Sequence, residues 1–341
     1  MEKAMKVSIL GSGAWGSTLA MVASDAGHDV LIWGRNSEVV EEINTRRRNE
    51  RFLGPIELPA NLRATSSIEE VFAHGDLLTL AIPAQSLRSN LESWKRDYPL
   101  DRPTVSTLKG IEVSSQLRMS EVLRQVTGIA EQRVGFITGP NLAGELALRQ
   151  PAGAVAASTS QVTAQVIASA FKTDYFRVYT SNDLLGCELA AALKNVVALA
   201  VGMVVGMGLG ENTQAMVITR GLNEVTRLGV ALGADPLTFA GLAGMGDLVA
   251  TCQSSLSRNR TFGEAIGKTG DLHSARETLG KTVEGVASAG AVVDMAHMVG
   301  VEIPIIEAVA DVVSGKMSPL EAMAKLNEID TGVEIDLSGP R

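Results

Sequence analysis

Cysteine is almost missing from this sequence of 341 residues: Cys187 and Cys252 are the only two, and no CxxC pair is present. That excludes a disulfide framework and the usual zinc spacing, and it fits a reducing compartment. Histidine is nearly as scarce, with His28, His74, His273 and His297 all outside the clusters described below. If proton transfer occurs here, lysine is favoured over histidine for it. There is no excess of positive charge either. The formal net charge is −8, which argues against general affinity for nucleic acid or acidic membranes. An anionic ligand would need a local cluster of cations. Long hydrophobic runs are also lacking. The apolar run near the N-terminus, Val7 to Leu10, is too short for a signal-peptide core. The window from Val196 to Gly210 falls short of the roughly 18–20 residues of a membrane span, and Gly202, Gly206, Gly208 and Gly210 interrupt it. A soluble cytoplasmic protein is expected, with no metal, no nucleic-acid partner and no membrane span.

What is present is ample apolar material, 45% of the residues, in a chain long enough for two cores. Val7 to Leu10 breaks into Gly11-Ser12-Gly13-Ala14-Trp15-Gly16, and helix-compatible residues follow to about Ala26. This is G-x-G-x-x-G where it carries meaning, between a strand and a helix start. Gly11 allows the turn, Gly13 lets amides approach a pyrophosphate, and Gly16 lets the helix pack close. Asp29 to Trp33 reads as the second strand of the βαβ unit. After it stands Gly34-Arg35-Asn36, with no carboxylate for a ribose hydroxyl. Arginine there suits a 2′-phosphate, so NADPH is expected to be favoured over NADH; an ordinary surface arginine is the alternative.

Further buried strands are expected at 77–82, 104–108 and 134–138, and two more strands at 152–157 and 175–179 around a helix at about 161–171. Lys109 and Gly139 to Asn141 follow two of these strands. In an open parallel sheet, ligands lie beyond the carboxyl ends of the strands. From Leu184 onward strand patterning stops, and helical patterns recur at 184–206, 213–231, 236–242, 246–254, 258–267, 284–299, 303–313 and 318–327. The expected class is α/β: a Rossmann-type, mostly parallel sheet domain (1–183) followed by an all-α C-terminal domain (184–329), with a loose tail at 330–341.

Within the first of those helices Lys194 has Cys187, Ala190, Ala191, Val197, Ala198 and Val201 on its own face. It either reaches water along its stem or is desolvated into a usable acid/base. Gly244-Met245-Gly246-Asp247 puts a flexible turn before a helix, with Asp247 and Thr251 one turn apart; a plain N-cap is the other use of Asp247. Ser257-Arg258-Asn259-Arg260 gathers phosphate donors, or else starts a helix with solvated arginines.

These motifs, with TLKGIE at 107–112, GPNLAGE at 139–145, LKNVVALAVG at 193–202, GLAGMGDLVATC at 241–252 and VEG at 283–285, resemble the bacterial NAD(P)-dependent glycerol-3-phosphate dehydrogenases. The resemblance runs from about Lys6 to Leu326. It implies reduction of dihydroxyacetone phosphate, a small phosphorylated three-carbon substrate, to sn-glycerol 3-phosphate for phospholipid synthesis, and it is consistent with a homodimer. It implies Lys194 as acid/base and substrate contacts at Lys109, Gly139, Asn141, Lys194, Asp247, Ser257, Arg258 and Asn259. It implies cofactor contacts at Gly11, Gly13, Ala14, Trp15, Gly16, Arg35, Asn36, Phe52, Lys109, Ala143, Arg258, Thr282 and Glu284. Ala14, Phe52, Asn141 and Thr282 depart from residues that many relatives carry there. Two alternatives stay open: a Rossmann-plus-helical dehydrogenase of hydroxy acids, and a dinucleotide-binding redox sensor without catalysis.

Overall fold

The structure is a computed structural model that describes residues 4–279 and 283–328. Two compact units divide the chain. The first holds an eight-stranded sheet: β1 (Lys6–Leu10), β2 (Asp29–Trp33), β3 (Leu62–Thr65), β4 (Leu77–Leu80), β5 (Thr104–Ser106), β6 (Val134–Thr138), β7 (Ala152–Ala157) and β8 (Phe176–Ser181). Their order is β3-β2-β1-β4-β5-β6-β7-β8, and every pairing is parallel except β6 with β7. The first six strands follow the doubly wound dinucleotide-binding order. Helices cover the sheet, so its central strands are apolar throughout rather than alternating. Val7, Ile9, Leu77, Leu80 and Val105 are all fully buried.

β4 and β5 are shorter than the apolar runs that announce them. Their ladders stop at Leu80 and Ser106, level with Leu10 and Phe136 on the neighbouring strands, and the chain then turns. β3 has no counterpart in the sequence pattern. Leu-Arg-Ala-Thr is four residues at the sheet edge, with Arg63 exposed, too short to show a period.

The helical unit is built on the 23-residue helix Leu184–Gly206. By length and composition this helix could cross a membrane, yet 89% of its most apolar window is buried inside the protein. Its alanines and glycines have a packing cause. A Cβ on Gly202 or Gly206 would strike the backbone at Arg260 or Glu264, and one on Gly263 or Gly267 would strike Leu199 or Met203. Paired glycines thus let the helix Arg258–Thr269 lie backbone to backbone on the lysine-bearing helix. A further helix, Leu272–Leu279, has no signature in the sequence because Leu-His-Ser-Ala-Arg-Glu-Thr-Leu carries no apolar stripe.

The boundary between units falls between Leu184 and Leu185, with one excursion. Gly110–Arg118, from the sheet half of the sequence, groups with the helical unit. Ile111 is fully buried in the helical core, Arg118 pairs with Glu188 at 2.6 Å, and Gln116 donates to Asp294 at 3.1 Å. These anchors hold the segment there.

Glu224, on the helix Glu211–Ala231, is buried and accepts from the amides of Ile305 (2.9 Å) and Ile306 (3.1 Å). It caps the helix Pro304–Val313, whose first position is a proline. Burial pushes its carboxyl from 4.5 up to about 7, only partly offset by the two amides and by Arg227 and Arg220. Between those values the folded state holds a proton that the unfolded chain has released. Stability from this group is therefore full below about pH 4.5 and is lost as pH rises through 7, by on the order of 3 kcal/mol. Urea melts at pH 5 and pH 8 should show wild type losing stability and Glu224→Gln losing distinctly less. Equal slopes would rule the account out.

Candidate functional site

In the sheet unit, β1 runs into the glycine turn. Gly11 has φ +128°, and a Cβ there would meet the Ala81 carbonyl, with its carbon at 2.8 Å. A Cβ on Gly16 would overlap the Gly11 carbonyl oxygen. Both positions admit glycine alone, and the helix Ala14–Asp25 packs tightly onto β1 as a result. Gly13 is different: nothing lies within 4 Å of a Cβ built on it. It is the N-cap of that helix, without a side-chain cap bond and without an acid in the first turn. First-turn amides facing open space with no competing carboxylate suit a pyrophosphate. Trp15 Nε1 and both amide atoms of Asn141 are buried without a hydrogen-bond partner among the described residues. Buried polar atoms are usually paired, and a bound ligand would pair these. The residues present fit a dinucleotide.

Thr18 Oγ1 lies 2.9 Å from the Ala14 carbonyl and 3.2 Å from that of Ala143, bringing Ala143 to the same turn. Arg35 is exposed just beyond β2. Asn36 beside it has a structural task, its side-chain oxygen accepting from Glu38 N (2.8 Å) and Val39 N (3.4 Å) to cap the next helix. Phe52 is 42% exposed, with the Arg51 guanidinium 5.4 Å from its ring centre. Lys109, after β5, donates to the Gly139 carbonyl at 3.2 Å. Gly139, after β6, has φ +149°, and a Cβ there would sit 2.8 Å from Asn141 Nδ2. Lys109, Gly139 and Asn141 therefore gather at the carboxyl ends of adjacent strands.

In the helical unit Lys194 is 6% exposed, so it does not reach water along its stem. Its Nζ donates to Asp247 Oδ1 at 2.6 Å and to Thr251 Oγ1 at 2.5 Å. Thr251 Oγ1 donates to the Asp247 carbonyl at 2.6 Å, which turns a lone pair toward the lysine. Burial disfavours the ammonium and the carboxylate favours it. The apolar ring around Lys194 is thus completed by two polar partners more than fifty residues away in sequence. Asp247 is not a plain cap. Thr251, on the same helix face, joins the lysine although it is absent from the implied substrate contacts. The Cys252 thiol nearby is pushed up to about 12 by burial, which leaves it unreactive.

The SRNR cluster opens the helix Arg258–Thr269. Ser257 Oγ caps that helix by accepting from Arg260 N at 3.3 Å. Asn259 donates to Asn195 Oδ1 at 3.0 Å and accepts from Gly285 N at 3.0 Å, joining three helices. Arg258 is exposed and forms no ion pair among the described residues, while Arg260 pairs with Glu264 at 3.2 Å. Asn195, adjacent to Lys194, is buried and is a second residue that the motifs alone do not single out. Glu284 starts the helix Glu284–Val299, next to the Gly285 amide held by Asn259. Thr282 lies outside the described residues.

A doubly wound sheet with a pyrophosphate-type turn, followed by a helical unit with a buried, hydrogen-bonded lysine, defines a two-unit dinucleotide-dependent dehydrogenase fold. The model for the N-terminal part of NAD-dependent glycerol-3-phosphate dehydrogenase matches residues 6–164, and that for the C-terminal part matches 183–324. The chain belongs to the NAD-dependent glycerol-3-phosphate dehydrogenase family. It is 47% identical over 326 residues to glycerol-3-phosphate dehydrogenase (NAD(P)+) of Streptomyces coelicolor, covering 96% of this chain and 97% of that one. With the enzyme of the same name from Corynebacterium diphtheriae it shares 49% over 323 residues, covering 94% and 98%. The crystal structure of glycerol-3-phosphate dehydrogenase from Coxiella burnetii superposes with a TM-score of 0.88 at 30% identity, covering 96% of this chain and 99% of that one.

Proposed function

We propose that this chain reduces dihydroxyacetone phosphate to sn-glycerol 3-phosphate, reversibly, with NADPH or NADH, and so supplies glycerophospholipid synthesis. The observation that carries the reading is the buried lysine held by Asp247 at 2.6 Å and Thr251 at 2.5 Å. Gly11, Gly13, Ala14, Trp15 and Gly16 would hold the dinucleotide phosphates, and Arg35 its adenosine end. A bound nicotinamide supplies the hydride. As the carbonyl carbon is reduced, charge develops on its oxygen, and Lys194 stabilises that oxygen and gives it a proton. Asp247 and Thr251 keep the ammonium aimed and charged until the proton leaves. In the oxidative direction the same amine accepts the proton. Arg258 and the first-turn amides of its helix would take the phosphate, anchoring the substrate away from the reacting carbon. The side chains of Ser257 and Asn259 act in this reading by shaping that helix start.

The deciding assay is oxidation of NADPH dependent on dihydroxyacetone phosphate. No turnover with it, but turnover with a hydroxy acid or its oxo form, would replace the reading. In the same assay kcat/KM should be higher for NADPH than for NADH, because Arg35 stands where an acid would select NADH. A strong NADH preference would remove Arg35 from that role. Arg258→Ala should raise KM for dihydroxyacetone phosphate by about a hundredfold, the loss of one charge-assisted contact of about 1.5–3 kcal/mol. An unchanged KM would move the phosphate elsewhere. A cytoplasmic homodimer completes the proposal, and the mass of the purified protein in solution tests its second half.

A further inference from the structure

We infer that Asn49, which belongs to none of the motifs above, is a positioning residue for the dinucleotide. It sets the direction of the Gly13 amide. Asn49 is fully buried, and its Nδ2 donates to the Ser12 carbonyl at 2.9 Å and to Ser17 Oγ at 2.8 Å. Ser12 is the middle residue of Gly11-Ser12-Gly13, so this bond fastens the carbonyl of the turn itself. In a trans peptide the C=O and the following N–H point in opposite directions. With the Ser12 oxygen drawn inward onto Asn49, the Gly13 N–H must point outward. The space beside Gly13 is open, with nothing within 4 Å of a Cβ built on it, so a ligand has room to reach that amide. Rotating that one peptide would exchange the donor for a carbonyl oxygen, and an oxygen facing a pyrophosphate repels it. Glycine at positions 11 and 13 makes such rotation easy, so something outside the turn has to forbid it.

The cost Asn49 carries supports the assignment. Its Oδ1 is buried without a partner. An apolar residue would fill the same space without that penalty, and the amide is kept for its donor half. Asn49 also begins the short helix Glu50–Leu53, its carbonyl accepting from Phe52 N (3.1 Å) and Leu53 N (2.9 Å). The residue that holds the phosphate turn therefore also holds the backbone of Phe52, an implied cofactor contact.

The inference rests on the dinucleotide reading, and ADP-ribose separates the two. This probe contains the pyrophosphate but no nicotinamide, and its Kd is measured by calorimetry on the purified full chain. Asn49→Ala and Asn49→Ser, both too short to reach the Ser12 oxygen, should raise the Kd for ADP-ribose by about tenfold, the loss of one hydrogen bond's orientation. KM for dihydroxyacetone phosphate and kcat at saturating NADPH should stay within about twofold of wild type. Ser17 Oγ also donates to the Ser12 oxygen, at the longer 3.4 Å. Ser17→Ala removes that contact and Asn49's other partner but keeps the 2.9 Å bond from Asn49, and its Kd for ADP-ribose should rise by no more than about twofold. Folded Asn49 variants that bind ADP-ribose as wild type does would overturn the inference. So would a Ser17→Ala variant weakened as much as they are, since packing would then explain the loss. Wild-type protein that fails to bind ADP-ribose would sink the dinucleotide reading itself, and the inference with it.

Discussion

Lys194→Met should lower kcat by about a thousandfold while leaving the Kd for NADPH near wild type. Methionine fills the lysine's volume but has neither proton nor charge to offer the carbonyl oxygen. Lys194 is not among the implied cofactor contacts, and the nucleotide turn belongs to the other compact unit, so the Kd for NADPH should hold. Stability adds a second, independent expectation. Asp247 is 2% exposed, and Lys194→Met takes away the ammonium 2.6 Å from its buried carboxylate. Breaking a buried pair in this way costs about 3–5 kcal/mol. Lys194→Met should therefore melt well below wild type, and Lys194→Met combined with Asp247→Asn should recover most of the loss without recovering turnover. That combination separates the two roles of the lysine. If the single variant keeps its turnover, Lys194 is not the acid; if the double variant remains as unstable as the single, the pair is not what strains the fold.

The parts of this protein that the sequence declares are those written in local patterns. Gly11 to Gly16 is legible because a strand, a turn and a helix start succeed one another within a few residues, each with its own chemistry. The long helix Leu184–Gly206 is legible for the same reason. The surroundings of Lys194 are less so. A lysine on an apolar face has two fates, and only Asp247 and Thr251, 53 and 57 residues further on, decide between them. No spacing rule connects residues on different helices. The motif residues themselves divide in a way their types conceal. Asn36, Ser257 and Asn259 all look like ligand donors, yet each spends side-chain hydrogen bonds on a helix start or a helix junction. Arg258 and Arg260 are alike in sequence, and only the contact with Glu264 tells them apart. Asn49 leaves no signal because a buried amide serving a neighbouring carbonyl belongs to no periodic pattern. β3 and the helix Leu272–Leu279 are illegible for the opposite reason, since they are stabilised by the elements they pack against rather than by a stripe of their own.

Gly244→Ala should cost both stability and turnover. Gly244 lies in a π-helical turn, Leu242–Gly246, closed by the Gly246 amide on the Gly241 carbonyl at 3.1 Å. Single π turns tend to occur at functional sites, where they re-aim the adjoining helix. Here that helix starts at Asp247 and carries Thr251 one turn later. A Cβ on Gly244 would land on the backbone of Phe239, and Phe239 has no room to retreat. Its ring is buried against Gly229 of the helix Glu211–Ala231, so closely that a Cβ on Gly229 would fall within 2.8 Å of Cε2. Phe239 is thus held between two glycines, and an added methyl must push the π turn outward instead. Asp247 and Thr251 move with it, away from Lys194. Overpacking of this kind costs about 1–3 kcal/mol, and a displacement near 1 Å at the acid's partners costs about a hundredfold in kcat/KM. The expected result is a lowered Tm with a kcat/KM for dihydroxyacetone phosphate down by that factor, and an unchanged Kd for NADPH. Met245→Ala alters the same turn at a side chain that is 46% exposed, and it should leave both quantities near wild type. Normal turnover in Gly244→Ala would mean that the turn is padding. Loss of turnover at full thermal stability would mean that it aims the aspartate without bearing on the core.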